Sequence, residues 1–206
     1  ARGSSGNTAG ITFSSRTGTD TSTTGTVSCW INPNNWSNSD AQVFNNSRFV
    51  ICKSTYWFGG NYFGLIWFPN DFFGSINWRH TTQIPTGTWT HIVGTVVGNN
   101  VSSNGTIYVN GSPSVVGGGN YANSLYSSAG TTCVGFGNWT NTQFDGGIAD
   151  VCVWNGTELT AGQAAALAAG VSPLQIGSKP TFYAPLVRDL QDLMHETPGS
   201  DSGTPG

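Results

Sequence analysis

The sequence predicts an all-β protein, an antiparallel sandwich of two sheets, and three observations predict it. Between Gly87 and Trp154 three strand patterns follow one another at sandwich spacing, each bounded by turn residues: Thr88–Val97, Thr106–Val109 and Gly146–Trp154. The chain has 206 residues, a routine length for one large β domain and enough to bury a real core. Helical signals are confined to two short segments near the C-terminus, Ala161–Ala169 and about Val187–His195.

The elements read in order as follows. Residues 1–25 are a Gly/Ser/Thr-rich arm with one short apolar run, Ile11-Thr12-Phe13, which suits an opening strand. Thr26–Ile31 alternates and stops at Asn32-Pro33. Residues 34–48 read as a polar loop carrying Trp36 and Phe44, and Phe49–Ser54 as a strand. Residues 55–62 form an aromatic loop, and Phe63–Phe68 with Phe72–Trp78 form a hairpin about Pro69-Asn70-Asp71. Asn110-Gly111 is a strong two-residue hairpin signal, because both positions tolerate positive φ. Gly117-Gly118-Gly119 does not lead into a helix with a lysine, so it reads as a flexible loop and not as a phosphate cradle. The helix at 161–169 has Thr160 as N-cap, Gln163 to complete a capping box and Gly170 to stop it. The second helix would present Leu186, Leu190, Leu193 and Met194 on one face and is too short to stand alone. The expected division is an arm over 1–25, the main domain over 26–178 and a helical tail over 179–206.

Composition narrows the function. Charged residues are 8% of the chain, against about 25% in ordinary domains, and Gly, at 29 residues, has about twice its usual share. Seven Lys and Arg are scattered, so there is no basic stripe for nucleic acid. No run of about 18 apolar residues suggests a membrane span, and the start of the chain has no apolar core of a secretion signal. Cys29, Cys52, Cys133 and Cys152 all sit inside apolar strand patterns without a C-x-x-C, which disfavours zinc and leaves buried thiols or cross-strand disulfides open. Seven N-x-[ST] sequons, such as those at Asn110 and Asn155, are what a chain rich in Asn, Ser and Thr makes by chance.

Taken together, Thr26-Val-Ser-Cys-Trp-Ile-Asn-Pro33, Gly87-Thr-Trp-Thr-His91, Ile107-Tyr-Val-Asn-Gly111 and Phe144-Asp-Gly-Gly-Ile-Ala-Asp150 resemble the laminin-G-like domain of the concanavalin-A-like lectin/glucanase group. The resemblance covers about 145 residues and implies a jelly roll. The tail Tyr183-Ala-Pro-Leu-Val-Arg-Asp-Leu-Gln-Asp-Leu193 is similar to segments that follow such domains in bacteriophage and prophage proteins, which implies a virion-associated protein made in a bacterial cytoplasm.

Catalysis is not expected. Glycoside hydrolysis needs two carboxylates across the sugar, and ten acidic residues are spread over this chain without a cluster. Asp145 and Asp150, five apart on a strand, would point to opposite faces, as a turn residue and a strand-end carboxylate. No Gly-x-Ser-x-Gly elbow exists, and His80, His91 and His195 read as structural or surface residues. Calcium would find only isolated carboxylates at Asp40, Asp71 and Asp145, so no metal or cofactor is expected.

Aromatics are the remaining lead. Trp30, Trp67, Trp78, Trp89 and Trp154 are expected to fill the core. Trp36, Tyr56, Trp57, Phe58, Tyr62 and Trp139 fall in predicted loops beside Asn, where they suit a protein interface first, a glycan second and local packing third. The expected function is a non-catalytic virion decoration protein that contacts neighbouring subunits, and copies of itself, through its termini and aromatic loops. The alternative is a secreted, lectin-like module that binds polysaccharide. Ends of this composition are ordered only where something ties them down, so a partner is expected to hold them.

Overall fold

The computed structural model describes residues 10–13, 24–46, 48–58, 60, 62–68, 75–80, 83–97, 104–114, 116–121, 131–137, 141–186, 191–192 and 197–201. They form two antiparallel sheets packed face to face. In chain order the strands are β1 (Ile11–Phe13), β2 (Thr24–Pro33), β3 (Gln42–Asn45), β4 (Phe49–Ser54), β5 (Tyr62–Trp67), β6 (Ser75–Arg79), β7 (Thr90–Val97), β8 (Asn104–Val109), β9 (Ser112–Pro113), β10 (Val116–Tyr121), β11 (Thr132–Val134), β12 (Gly146–Asn155), β13 (Phe182–Ala184), β14 (Gln191–Asp192) and β15 (Thr197–Asp201). One sheet has six strands in the order β13-β12-β2-β7-β8-β9. The other has nine, in the order β10-β6-β5-β4-β3-β11-β1-β15-β14. Helix α1 (Thr55–Phe58) lies between β4 and β5, and α2 (Ala161–Ala168) follows β12.

Period-2 alternation assigns each strand two faces. In the six-stranded sheet Val27, Cys29 and Ile31 of β2, Ile92 and Val96 of β7, and Phe182 and Ala184 of β13 enter the main core. From the opposite sheet Phe49 and Ile51 of β4 and Phe63, Leu65 and Trp67 of β5 meet them. The sheets come close because glycines in one make room for large side chains of the other. A Cβ on Gly25 would lie 2.5 Å from the Phe49 ring, one on Gly94 2.9 Å from Leu65, and one on Gly105 2.4 Å from the Trp78 indole. Two satellite clusters cover the outer faces. On the six-stranded sheet Val93, Tyr108, Cys152, Trp154 and Tyr183 pack under Leu159, Ala164 and Leu167 around α2. On the nine-stranded sheet Val50, Cys52, Ile66 and Phe68 pack under Trp57 and Phe58 of α1.

Local signals form as expected. Asn110 and Gly111 both take positive φ, 49° and 79°, and turn β8 into β9. Thr160 caps α2 in a capping box with Gln163, and Gly170 follows at φ 87°. Four segments differ from expectation. The loop expected over 34–48 contains β3, an internal strand, because buried Gln42 and Asn45 bond each other and leave it polar in sequence but dry in place. The triple glycine lies in β10, which pairs with β6 at a sheet edge. The aromatic loop contains α1. Instead of a second C-terminal helix, Gln191–Asp192 forms β14; residues 187–190 and 193–196 lie outside the described residues. The segments on either side of 26–178 supply strands to both sheets. β15 pairs with β1 (Thr12↔Ser200), so this part of the tail is held in the chain's own sheet.

The glycine sockets give a test of opposite signs. Gly105→Ala pushes a methyl into the Trp78 ring and is expected to lower stability by about 1–3 kcal/mol. Gly162→Ala, on the open side of α2 with only Thr160 Oγ1 within 4 Å, is expected to raise it by up to about 1 kcal/mol. Urea denaturation of the two variants reads both.

Candidate functional site

The aromatic residues expected to be displayed are mostly used for packing. Trp36 packs against the main core between Phe63 and Phe144 (ring centroids 5.9 and 5.6 Å), and its Nε1 donates to the Ile84 carbonyl at 2.8 Å. Trp57 and Phe58 are buried beneath the surface of α1. The run 55–62 read by itself gave no sign of this, because the apolar face that they cover, Val50, Cys52, Ile66 and Phe68, comes from the two strand segments on either side of α1. Tyr62 is half-buried under the Arg79 guanidinium, 4.4 Å from its ring centroid. Tyr56 alone of this set stands out, 74% exposed. Trp139 lies outside the described residues. Trp36, Trp57 and Phe58 are therefore corrected from displayed loop rings to packed ones.

The converse correction concerns Trp89. It was expected in the core and is 46% exposed. It stands just before β7, on the outer face of the six-stranded sheet. There its indole lies over Gly147 of β12, whose Cβ, if it had one, would be 2.9 Å from the ring. The next row across this face is Ala149, Trp30 and His91, paired through Ala149↔Trp30 and Trp30↔His91. Trp30 is half-buried, and its ring meets His91 at 4.9 Å and 48°. Small residues on β12 thus flank two indoles and leave a shallow aromatic shelf.

At its inner end the shelf runs into a cavity of about 210 Å³. Its floor is Ser28, Trp30, His91, Asp150 and Tyr183, from four strands, and its roof is Leu167 and the turn Gly170–Pro173 after α2. Asp150 reaches the cavity through a β-bulge. The register of β12 against β2 shifts between Ala149 and Cys152, and Asp150 takes φ 49°. Without the extra residue Asp150 would share the face of Ile148, which is the core face. Bulges commonly re-aim a side chain, and Asp tolerates the left-handed region better than most residues. The backbone of Asp150 is held by donation of its N–H to the Pro185 carbonyl at 3.1 Å. Its Oδ1 accepts from the Tyr183 hydroxyl at 2.9 Å. Burial first, and then the Asp150 carboxylate, push the Tyr183 phenol well above its usual range, so it stays a donor. Asp150 is therefore neither at a strand end nor buried against the core. It is the carboxylate of the cavity.

His91 lies beneath the shelf. Its Nε2 is 2.9 Å from Ser28 Oγ, both residues are buried, and Nδ1 is buried without a hydrogen-bond partner. Burial lowers its pKa from 6.5 to about 4, so the imidazole is neutral. A serine beside a histidine has the outline of a nucleophile and base, but a nucleophilic pair needs a third group to orient the base, and Asp150 is bonded to Tyr183 instead. Among the side chains described, no second carboxylate lines the cavity. Asp145 is bound by the Asn34 and Asn35 amides, and Asp40 by Ser39 and Ser54. Among the described residues no three His, Cys, Asp or Glu converge as a metal would need, and no helix is long and apolar enough to cross a membrane.

The outer face of the six-stranded sheet thus carries two indoles in successive rows, a small polar cavity beside Trp30 and one carboxylate aimed into it. Residues 5–165 match the concanavalin A-like lectin/glucanases superfamily (Laminin_G_3). Among solved structures the chain is similar to a Bacteroides ovatus protein assigned as carbohydrate-binding (TM-score 0.68, 19% identity), covering 95% of this chain and 58% of that one. It is similar to the heptameric SAP-like pentraxin of Limulus polyphemus (TM-score 0.60, 16% identity), with 98% and 89% covered. It is also similar to domain 4 of an extracellular arabinanase of Geobacillus stearothermophilus, in complex with arabinotriose (TM-score 0.51, 23% identity), with 74% and 69% covered. At these identities the likeness is one of fold. The chain thus spans little more than half the length of the Bacteroides protein. No curated protein matches the sequence.

The neutral His91 fixes a pH dependence. Its folded pKa lies below its unfolded one, so its contribution is intact above about pH 6.5 and is lost as the pH falls toward 4, at ~1.4 kcal/mol per unit. His80, also lowered by burial, acts in the same direction. Urea denaturation between pH 7 and pH 4.5 is expected to show this fall, and His91→Gln to flatten it.

Proposed function

We propose that this chain, which belongs to the concanavalin A-like lectin/glucanases superfamily, is a non-catalytic carbohydrate-binding module. The observation that carries the reading is the exposed Trp89 indole, on the same sheet face as Trp30, which lines the cavity of Asp150 and Tyr183. The C–H face of a pyranose is weakly positive and stacks on the negative face of an indole, while hydroxyls bond to carboxylate and phenol groups. Two indoles along one face hold successive sugars of a chain. The superfamily match supports the reading, as do the carbohydrate-binding assignment of the Bacteroides protein and the arabinotriose on the arabinanase domain. An extracellular or cell-surface location follows from such a ligand.

The virion decoration role rests on the resemblance of the tail alone. Its physical premise, ends that need a neighbour to hold them, is weakened by the pairing of β15 with β1.

The test is affinity electrophoresis through gels containing soluble polysaccharides, followed by calorimetry with oligosaccharides of the retarding polymer. Trp89→Ala is expected to weaken binding at least about tenfold, since truncating an aromatic anchor costs more than about 1 kcal/mol, while the melting temperature stays close to that of the parent. Tyr56→Ala, on the far sheet, is expected to leave binding unchanged. Retardation that survives Trp89→Ala removes the shelf from the reading, and mobility unchanged in every polysaccharide removes the reading itself.

A further inference from the structure

We infer that the cavity beside α2 takes an ammonium group, and that the glycan held on the shelf therefore carries unacetylated amino sugars. This rests on the carbohydrate-binding reading and specifies its sugar.

The electrostatics of the cavity point one way. Asp150 supplies a carboxylate, and among the described residues no Lys or Arg lines the cavity to neutralise it. The single histidine there is buried with its ring neutral. Leu167 and Gly170 bring the C-terminal end of α2 to the rim. That end is the negative pole of the helix dipole; the carbonyls of Ala165, Ala166 and Leu167 accept from the N–H groups of the capping turn, and no basic residue occupies the last turn. The walls include Trp30 and Tyr183, whose ring faces attract cations. A carboxylate, a helix C-terminus and two aromatic rings all favour positive charge, and the described residues of the cavity provide none.

The backbone shows that this charge is placed by design of the fold. Asp150 sits at the bulge with positive φ, in a strand whose regular continuation would turn it into the core. Residues held in sparsely populated conformations cluster at functional sites. Tyr183 occupies only Oδ1 of the carboxylate in a neutral hydrogen bond, so the charge itself is left for a ligand. At about 210 Å³ the cavity is smaller than the 300–1,000 Å³ typical of drug-sized ligands and suits one sugar residue, with the chain continuing along Trp30 toward Trp89. A protonated 2-amino group meets all three negative features at once. An N-acetyl group adds bulk and removes the charge, a neutral hydroxyl gains only a hydrogen bond, and a uronate is repelled.

Calorimetry on the full chain decides this with four probes: oligomers of glucosamine, of N-acetylglucosamine, of glucose and of a uronic acid, each at pH 6 in low and high salt. The glucosamine oligomer is expected to bind at least about tenfold tighter than the others, and to weaken in high salt. Asp150→Asn keeps the shape, the acceptor for Tyr183 and a residue at ease at positive φ. It is expected to cost the glucosamine oligomer about tenfold and the glucose oligomer less. Equal binding of the glucosamine and N-acetylglucosamine oligomers overturns the inference, as does a preference that survives Asp150→Asn. Should that variant fail to fold, the order of the four probes on the parent protein and its salt dependence still decide. Neutral oligomers bound in a Trp89-dependent manner, with no amine preference, overturn this inference and leave the carbohydrate reading standing. No oligomer bound overturns both. Choline bound through Asp150 without any glucosamine oligomer overturns the assignment of the ammonium to a sugar.

Discussion

Ile148 and Val151 both enter the core although they stand three apart on one strand, and the bulge at Ala149–Asp150 is what makes this geometry available. The same extra residue reverses the parity of the rest of β12. Beyond it Val151 and Val153 face inward, and Cys152 and Trp154 face outward, where they form the bed on which α2 lies. The helix, the turn that follows it and the cavity roof therefore depend on one inserted residue. So does the position of Asp150, the only carboxylate among the described residues of the cavity. The core and the binding face are not separate constructions. One irregularity in a central strand supplies apolar teeth to one side and a charged, aromatic-walled hollow to the other.

The sequence was legible where the determining interactions are local. A two-residue turn is decided by the φ angles of Asn110 and Gly111, and a capping box by Thr160 and Gln163, three residues apart. The main strands and the sandwich class followed from runs of apolar residues between turn signals, and the jelly roll from the resemblance of four motifs to the laminin-G-like domain. The site was not legible in the same way. Trp57 and Trp89 are both indoles among turn formers, and hydropathy along the chain does not say which is covered. The answer lies in what faces each. Trp57 meets a bare apolar patch from β4 and β5, and Trp89 meets Gly147, reached only once β12 is in register with β2. Asp150 was misplaced for a related reason. Period-2 reasoning holds for a regular strand, and no signal in Gly-Gly-Ile-Ala-Asp-Val announces the added residue. β3 escaped because two of its buried positions are polar, with the Asn45 amide donating to Gln42 Oε1, so that hydropathy shows a loop where pairing makes a strand.

The two sheets approach through sockets at Gly25, Gly94 and Gly105, on three neighbouring strands, that receive Phe49, Leu65 and Trp78 from three neighbouring strands of the other sheet. This accounts for part of the glycine excess in structural terms. The missing side chains are vacancies shaped for particular partners, and a close-packed interior transmits any change in their volume. It also explains how a chain with so few charges keeps one arrangement of its sheets. Register is fixed by fit between large and absent side chains, with no contribution needed from ion pairs.

Burial raises the thiols of Cys29, to about 12, and of Cys52 and Cys133 above their ordinary range. Thiolate is the reactive form in exchange and oxidation, so these sulfurs behave as small hydrocarbon groups. All four cysteines are unbridged and sealed within strands. The fold consequently has no redox requirement: glutathione has nothing to reduce and an oxidising medium nothing to join, and the same sandwich survives unchanged on either side of a cell envelope.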